Sequence, residues 1–366
     1  MGTSKSWFFI ISIAILIIVA CVLPDHLGQI LPESQLIGAD GEYSNLPKKD
    51  PNDSGDFSLT ADALTPELKP TSTPESYLIP TASIEKPVAS TITREPIEKI
   101  IYTCQVDKNP SHDQICMIYP DGSGFRQLTD DLSVQHFYPS WAPDGRSFVF
   151  SAAYTGQFKI YEMDLSGKLN KVGEVSGELY APMISPDGSK IVFTSHFSES
   201  EQYISVMNRD GSNVKNLTGY YDAKDPVWSP NGLKILFTSM HSGTPQIYFM
   251  NADGSLIHKI SELKGLRGRT DWSVDLSFAT YAGEKEEHNR EIVLLELGGE
   301  PKYLTDGGDN LSPSFSPDGL WLVFMSYRDH FWQADGCELY IMRRDGSDIR
   351  RLTDNGYCDY QPRWGN

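Results

Sequence analysis

The chain has 366 residues, 39% of them hydrophobic, with a formal net charge of −18 and a sequence pI near 4.8. That is enough apolar material for a sizeable core. The acidity argues against nucleic-acid binding, because phosphate contacts need a clustered basic stripe.

In chain order, the first element is Trp7–Leu23, a run of 17 residues without charge. It is at the short limit for crossing a bilayer. Lys5 precedes it, Asp25 and Glu33 come after it, and no Lys or Arg comes before Lys48. That asymmetry places the N-terminus inside and the rest outside. Residues 1–23 are therefore a targeting element, to be set apart from the fold. The run ends in Ile18-Val-Ala-Cys21, which resembles a bacterial lipobox, a motif whose cysteine is lipidated. An uncleaved membrane anchor and a simple secretory signal fit the same run. Residues 24–96 hold ten of the chain's 23 prolines among many Ser, Thr, Asp and Glu, with no apolar period. Such a stretch cannot bury enough surface to offset chain entropy and reads as an extended linker.

From residue 97 to 366 a short pattern recurs. It reads Pro139-Ser-Trp-Ala-Pro-Asp-Gly, Pro182-Met-Ile-Ser-Pro-Asp-Gly, Pro226-Val-Trp-Ser-Pro-Asn-Gly, a worn Thr270-Asp-Trp-Ser-Val-Asp-Leu, and Pro313-Ser-Phe-Ser-Pro-Asp-Gly. The copies lie 43 or 44 residues apart, and Pro362-Arg-Trp364 starts a further one. A fixed period of this size is an array of one supersecondary unit. Pro-Asp-Gly is a tight turn. Apolar runs such as Phe148-Val-Phe150 and Ile160-Tyr-Glu-Met163 come after it, and then a second turn such as Asp210-Gly211. The runs alternate little, so the strands are covered on both faces, as propeller blades are. The third motif residue is Trp141, Ile184, Trp228, Trp272, Phe315 or Trp364, an expected inter-blade packing position.

Before the first full repeat, Ile100–Tyr102, Cys116–Tyr119, Asp121-Gly122 and Gln127–Thr129 form a repeat lacking its opening strand. Gln361–Trp364 supplies it. The prediction is an all-β, six-bladed propeller closed by its N- and C-terminal strands. Here the residues resemble the TolB-type, WD40-like (PD40) repeat, which also occurs in propellers of prolyl-oligopeptidase-like proteins. The resemblance covers about residues 97–366 and implies a fold, not an activity. Val274-Asp-Leu276 departs from it in the fifth repeat, leaving that turn in doubt. TolB proteins carry an α/β domain ahead of the propeller. No segment here looks like one, so the resemblance does not support a Tol role.

Besides Cys21 there are four cysteines, an even number that suits disulfides in an exported domain. In the ring, Cys104 and Cys116 flank one loop. Cys337 and Cys358 lie in two loop classes that emerge on the same face. The expected bridges are Cys104–Cys116 and Cys337–Cys358, the second stapling the closure.

No Gly-x-Ser-x-Gly, His-Glu-x-x-His, EF-hand or phosphate-loop pattern occurs. No cofactor or metal is expected. The loops on the face bearing the inter-blade links are rich in aromatic and charged residues, and loops on a rigid scaffold carry function. Candidate ligand-binding residues are His136, Tyr138, Tyr180, Asp222, Lys224, Arg267, Asp309, Phe331, Trp332 and Tyr360. Aromatics mixed with a few charges fit a protein, peptide or glycan partner. The reading is a non-catalytic binding or scaffold propeller, tethered at the outer face of a membrane. The alternatives are a glycan- or peptide-acting lyase or hydrolase with a channel site, and a structural subunit of an envelope complex.

Overall fold

The computed structural model describes residues 98–365 except 108, 110, 111, 199, 200, 220, 221, 284–288 and 331–335. The apolar segment, Cys21, the linker, Phe331 and Trp332 lie outside the described residues, as does the Arg267 side chain.

Among the described residues, twenty-four strands form six four-stranded antiparallel sheets, each ordered from the ring axis outward. The innermost strands of blades two to six are His136–Trp141, Glu178–Ile184, Ala223–Trp228, Leu266–Trp272 and Asn310–Phe315. Blade one takes its innermost strand from the C-terminus: Asp359–Gly365 pairs with Lys99–Gln105, placing Lys99 opposite Gly365 and Ile100 opposite Trp364. The six-bladed ring closes as the repeat arithmetic requires.

Second strands such as Ser147–Ala152 and Trp321–Ser326 are buried along their whole length, because neighbouring blades cover both faces. The core consists largely of inter-blade layers. Trp141 packs with Ile101, Ile115 and Met117 of blade one, and Trp228 with Val192, Ile204 and Val206 of blade three. The Trp228 Nε1–H also donates to the Met183 carbonyl at 3.2 Å. The third motif residue therefore joins blades. Truncating such an aromatic costs about 3–5 kcal/mol.

The turn chemistry is equally direct. The Asp187 carboxylate accepts from the Ser185 hydroxyl at 2.5 Å and the Ser189 amide at 3.0 Å. These bonds, the Ser185 one foremost, hold its carboxyl down at about 2. Gly188 takes the left-handed position at φ 75°. The doubtful fifth turn forms as well: Leu276 N–H donates to the Ser273 carbonyl at 3.0 Å, with Leu276 itself at φ 67°.

Cys104 is bonded to Cys116 and Cys337 to Cys358, with Cα separations of 5.8 and 4.5 Å. The second bridge ties blade six to the strand that closes blade one. Around it, Gln105 N–H donates to the Cys358 carbonyl at 3.0 Å and Asp359 N–H to the Cys337 carbonyl at 2.8 Å.

Candidate functional site

The residue before the motif proline sets the geometry of the channel. Every innermost strand carries an extra residue there. In blade two, Phe137 faces Ser151 but Ser140 faces Val149, three residues against two. The same slip occurs between Tyr180 and Met183, Lys224 and Val227, and Leu311 and Ser314. Such bulges re-aim side chains. The extra residue is left-handed: Tyr138, Ala181, Asp225, Ser312 and Gln361 have φ between 49° and 56°.

Blade five differs. Thr270 replaces proline, and the register slips twice, between Leu266 and Gly268 and between Gly268 and Asp271. The positive φ moves to Gly268, at 147°. A Cβ there would stand 3.1 Å from the Asp225 carboxylate and 3.5 Å from the Tyr281 hydroxyl. Arg269 thus occupies the position that Tyr138 and Asp225 hold in blades two and four.

These positions meet in the channel. The Arg269 guanidinium lies 5.3 Å from the ring centre of Tyr138, which belongs to the opposite blade. The Gln361 side-chain carbonyl accepts from Tyr138 N–H at 2.8 Å and from the Thr103 hydroxyl at 3.0 Å. Two residues further along these strands, Arg363 pairs with Asp271 at 3.0 Å. Asp271 also accepts from the Ser314 hydroxyl at 2.7 Å and Phe315 N–H at 2.8 Å, so one carboxylate joins blades five, six and one. Arg269 has no such partner. It is 6% exposed, its Nη1 is buried without a hydrogen-bond partner, and among the described residues no carboxylate pairs with it. Burial first, then the charge of Arg363, push its pKa down to about 10.

Beside Tyr138 lies an aromatic and acidic cluster. The Tyr180 ring is 6.2 Å from Tyr138 and 5.2 Å from Phe158. The Tyr180 hydroxyl donates to Glu178 at 2.7 Å, and His196 Nδ1 is 3.8 Å from the same carboxylate. His196 and Tyr180 hold the Glu178 carboxyl below its ordinary range. Burial pushes Asp222 up, opposed by Lys224 and His196.

Of the sequence candidates, Tyr138, Tyr180, Asp222 and Lys224 fall in this region, all half-buried. His136, Asp309 and Tyr360 do not open onto it. His136 is fully buried between the Asp113 carbonyl at 3.2 Å and the Tyr154 hydroxyl at 2.9 Å, and burial lowers its pKa to about 4. Asp309 is fully buried in a two-pronged pair with Arg290, 2.7 Å from Nε and 2.5 Å from Nη2. Tyr360 is buried near Asp113. The sequence also marks Asp225 and Arg269 among the charged residues of this face, but it passes over Glu178, Phe158 and the remaining residues that precede the motif proline, Ala181, Ser312 and Gln361. That fixed position was the available signal.

His330, Glu338 and Asp354 bring three possible metal-ligand atoms within 4.8 Å of one another. Arg351 already serves them, with Nη2 3.1 Å from His330, 3.0 Å from Glu338 and 2.8 Å from Asp354. A guanidinium holds the place a cation would take. At the other end of the channel, where the Pro-Asp-Gly turns lie, a cavity of about 230 Å³ is ringed by Trp141, Trp228, Trp272, Phe315 and Trp364.

A disulfide-stapled, six-bladed propeller with this repeat defines a class, and the comparisons identify it. Residues 99–333 match the TolB beta propeller domain (PD40), and the chain belongs to that family. It is 35% identical over 242 residues to the Tol-Pal system protein TolB of Francisella tularensis, covering 62% of this chain and 53% of that protein. It is 28% identical over 199 residues to the uncharacterized peptidase YuxL of Bacillus subtilis, covering 51% and 28%. The chain thus spans only about a quarter to a half of these curated relatives. In three dimensions it is similar to TolB from Acinetobacter baumannii, with a TM-score of 0.64 at 23% identity, covering 73% of this chain and 66% of that one.

Proposed function

We propose that the protein is a membrane-tethered, extracytoplasmic binding propeller that receives a protein or peptide partner at the link-bearing mouth of its channel. One observation carries this reading. The half-buried Tyr138 lies against the buried Arg269 guanidinium, Tyr180 packs on Tyr138 and Phe158 on Tyr180, and half-buried Lys224 and Asp225 stand on the innermost strand of the adjoining blade four. Aromatics and an arginine on a rigid frame are the groups that dominate protein interfaces. The family link to a Tol-Pal system protein supports a protein partner over a glycan. The two disulfides support an oxidising compartment.

The domain layout goes with it: residues 1–23 as the signal segment, 24–96 as a spacer and 97–366 as the propeller, with Cys21 as the lipid attachment point that holds the protein at the membrane. The test is capture from detergent-solubilised envelope, comparing the wild type with a Tyr138→Ala, Tyr180→Ala, Lys224→Ala triple variant. The wild type should retain a protein that the triple variant loses at least tenfold. Equal retention overturns the reading. Radiolabelled palmitate should label the wild type and not Cys21→Ser; equal labelling would exclude Cys21 as the lipidated residue.

A further inference from the structure

We propose that Arg269 anchors a carboxylate of that partner, an acidic side chain or a chain terminus entering by the link-bearing mouth. The inference rests on the binding reading above and names the chemistry of its deepest contact.

The motif is sacrificed in only one complete repeat, and that repeat places arginine in the channel. Blade five lacks the motif proline at Thr270 and the turn glycine at Leu276, and its inner strand slips register twice. Departures from a protein's own local rules concentrate at functional positions. A buried charge without a partner is costly. Arg363, also in the channel, has its carboxylate in Asp271, an ion pair at 3.0 Å, although its Nη1 too makes no hydrogen bond among the described residues. Arg269 has none among the described residues, and its Nη1 is buried and unbonded.

The surroundings select the ligand. The Tyr138 ring backs the guanidinium, as arginine–aromatic contacts do. A guanidinium's edge is a fork of N–H donors that matches a carboxylate. Asp225 acts on Arg269 electrostatically without pairing with it, and Glu178 and Asp222 lie near the mouth. That negative field disfavours a phosphate dianion and leaves room for a single carboxylate charge. The Tyr180 and Phe158 rings offer an apolar wall to the part of the partner that bears this carboxylate.

The experiment uses the full chain with ¹⁵N-labelled arginine, tracking the Arg269 Nε–H resonance, which is assigned by its loss in Arg269→Gln. Phenylacetate should shift it saturably. Phenylacetamide and inorganic phosphate should bind at least tenfold more weakly. Arg269→Lys keeps the charge without the fork and should bind phenylacetate about tenfold more weakly by calorimetry. Arg269→Gln should lose that binding while melting at or above the wild-type temperature, and should lower partner capture at least tenfold. An unmoved resonance, phosphate binding as tightly as phenylacetate, or unchanged capture by Arg269→Gln each overturns the proposal. Should the triple mouth variant keep its partner while phenylacetate still shifts Arg269, it is the broader binding reading that fails.

Discussion

At the scale of single residues, buried charge dominates. Arg269 is buried in the channel with its Nη1 unbonded and no carboxylate pairing with it among the described residues, so Arg269→Met should stabilise the fold. The gain is on the order of 1 kcal/mol, or about 2–4 °C in Tm for a domain of this size. A thermal melt that falls instead would mean the guanidinium stabilises the ring. Two carboxyls behave as buried acids. Burial foremost raises Asp113 to about 7 and Asp359 to about 8, the latter aided by Glu338. The folded state keeps these protons while the unfolded chain releases them near pH 4, so stability falls as pH rises from about 4 to about 8 and then levels off. His136 works the other way: it is lowered to about 4, so it contributes stability above pH 6.5 that is lost as pH falls towards 4. Between pH 6.5 and 8 Asp113 and Asp359 still act and His136 does not. Asp359→Asn should flatten that fall, as urea midpoints across the window would show; an unchanged slope would exclude Asp359 as its source.

At the scale of elements, the fifth blade tests how much the repeat grammar matters. Its turn keeps the hydrogen bond from Leu276 to Ser273 but holds a leucine at φ 67°. Glycine holds the matching place at Gly145, Gly188, Gly232 and Gly319 with φ between 64° and 75°. A left-handed non-glycine residue costs roughly 1–2 kcal/mol, and glycine's added chain entropy returns roughly half of that. Leu276 is 44% exposed and packs little. Leu276→Gly should therefore raise Tm by about 2 °C, and a lower melting temperature would show that the side chain matters more than the backbone. The blades were legible because each repeat writes the same turn and the same apolar runs. The channel was harder to read. Tyr138, Ala181, Asp225, Arg269, Ser312 and Gln361 share a position but no chemistry. The bulge beside them changes strand parity, so residue type could not reveal that His136 and Asp309 turn inward to the sheets.

For the whole molecule, stability depends on the closure. Deleting residues 357–366 removes the innermost strand of blade one together with Cys358. Cooperative melting should be lost, and a truncated chain that melts like the intact one would contradict the shared blade. The double variant Cys337→Ala, Cys358→Ala should lose about 2–4 kcal/mol, read from the urea midpoint, for a bridge spanning 21 residues. The pairing was legible in advance because the ring order alone decides which loops become neighbours.

The entry strand has a mechanical consequence. Lys99–Gln105 lies between two antiparallel neighbours, Asp113–Ile118 on one side and Asp359–Gly365 on the other. A pull delivered at residue 98 would load both ladders in shear at once, and the crosslink from Cys104 to Cys116 would share the force. Optical-tweezer traces pulled from that point should show rupture at a higher force than traces pulled from residue 365, whose strand has a hydrogen-bonded neighbour on one side only.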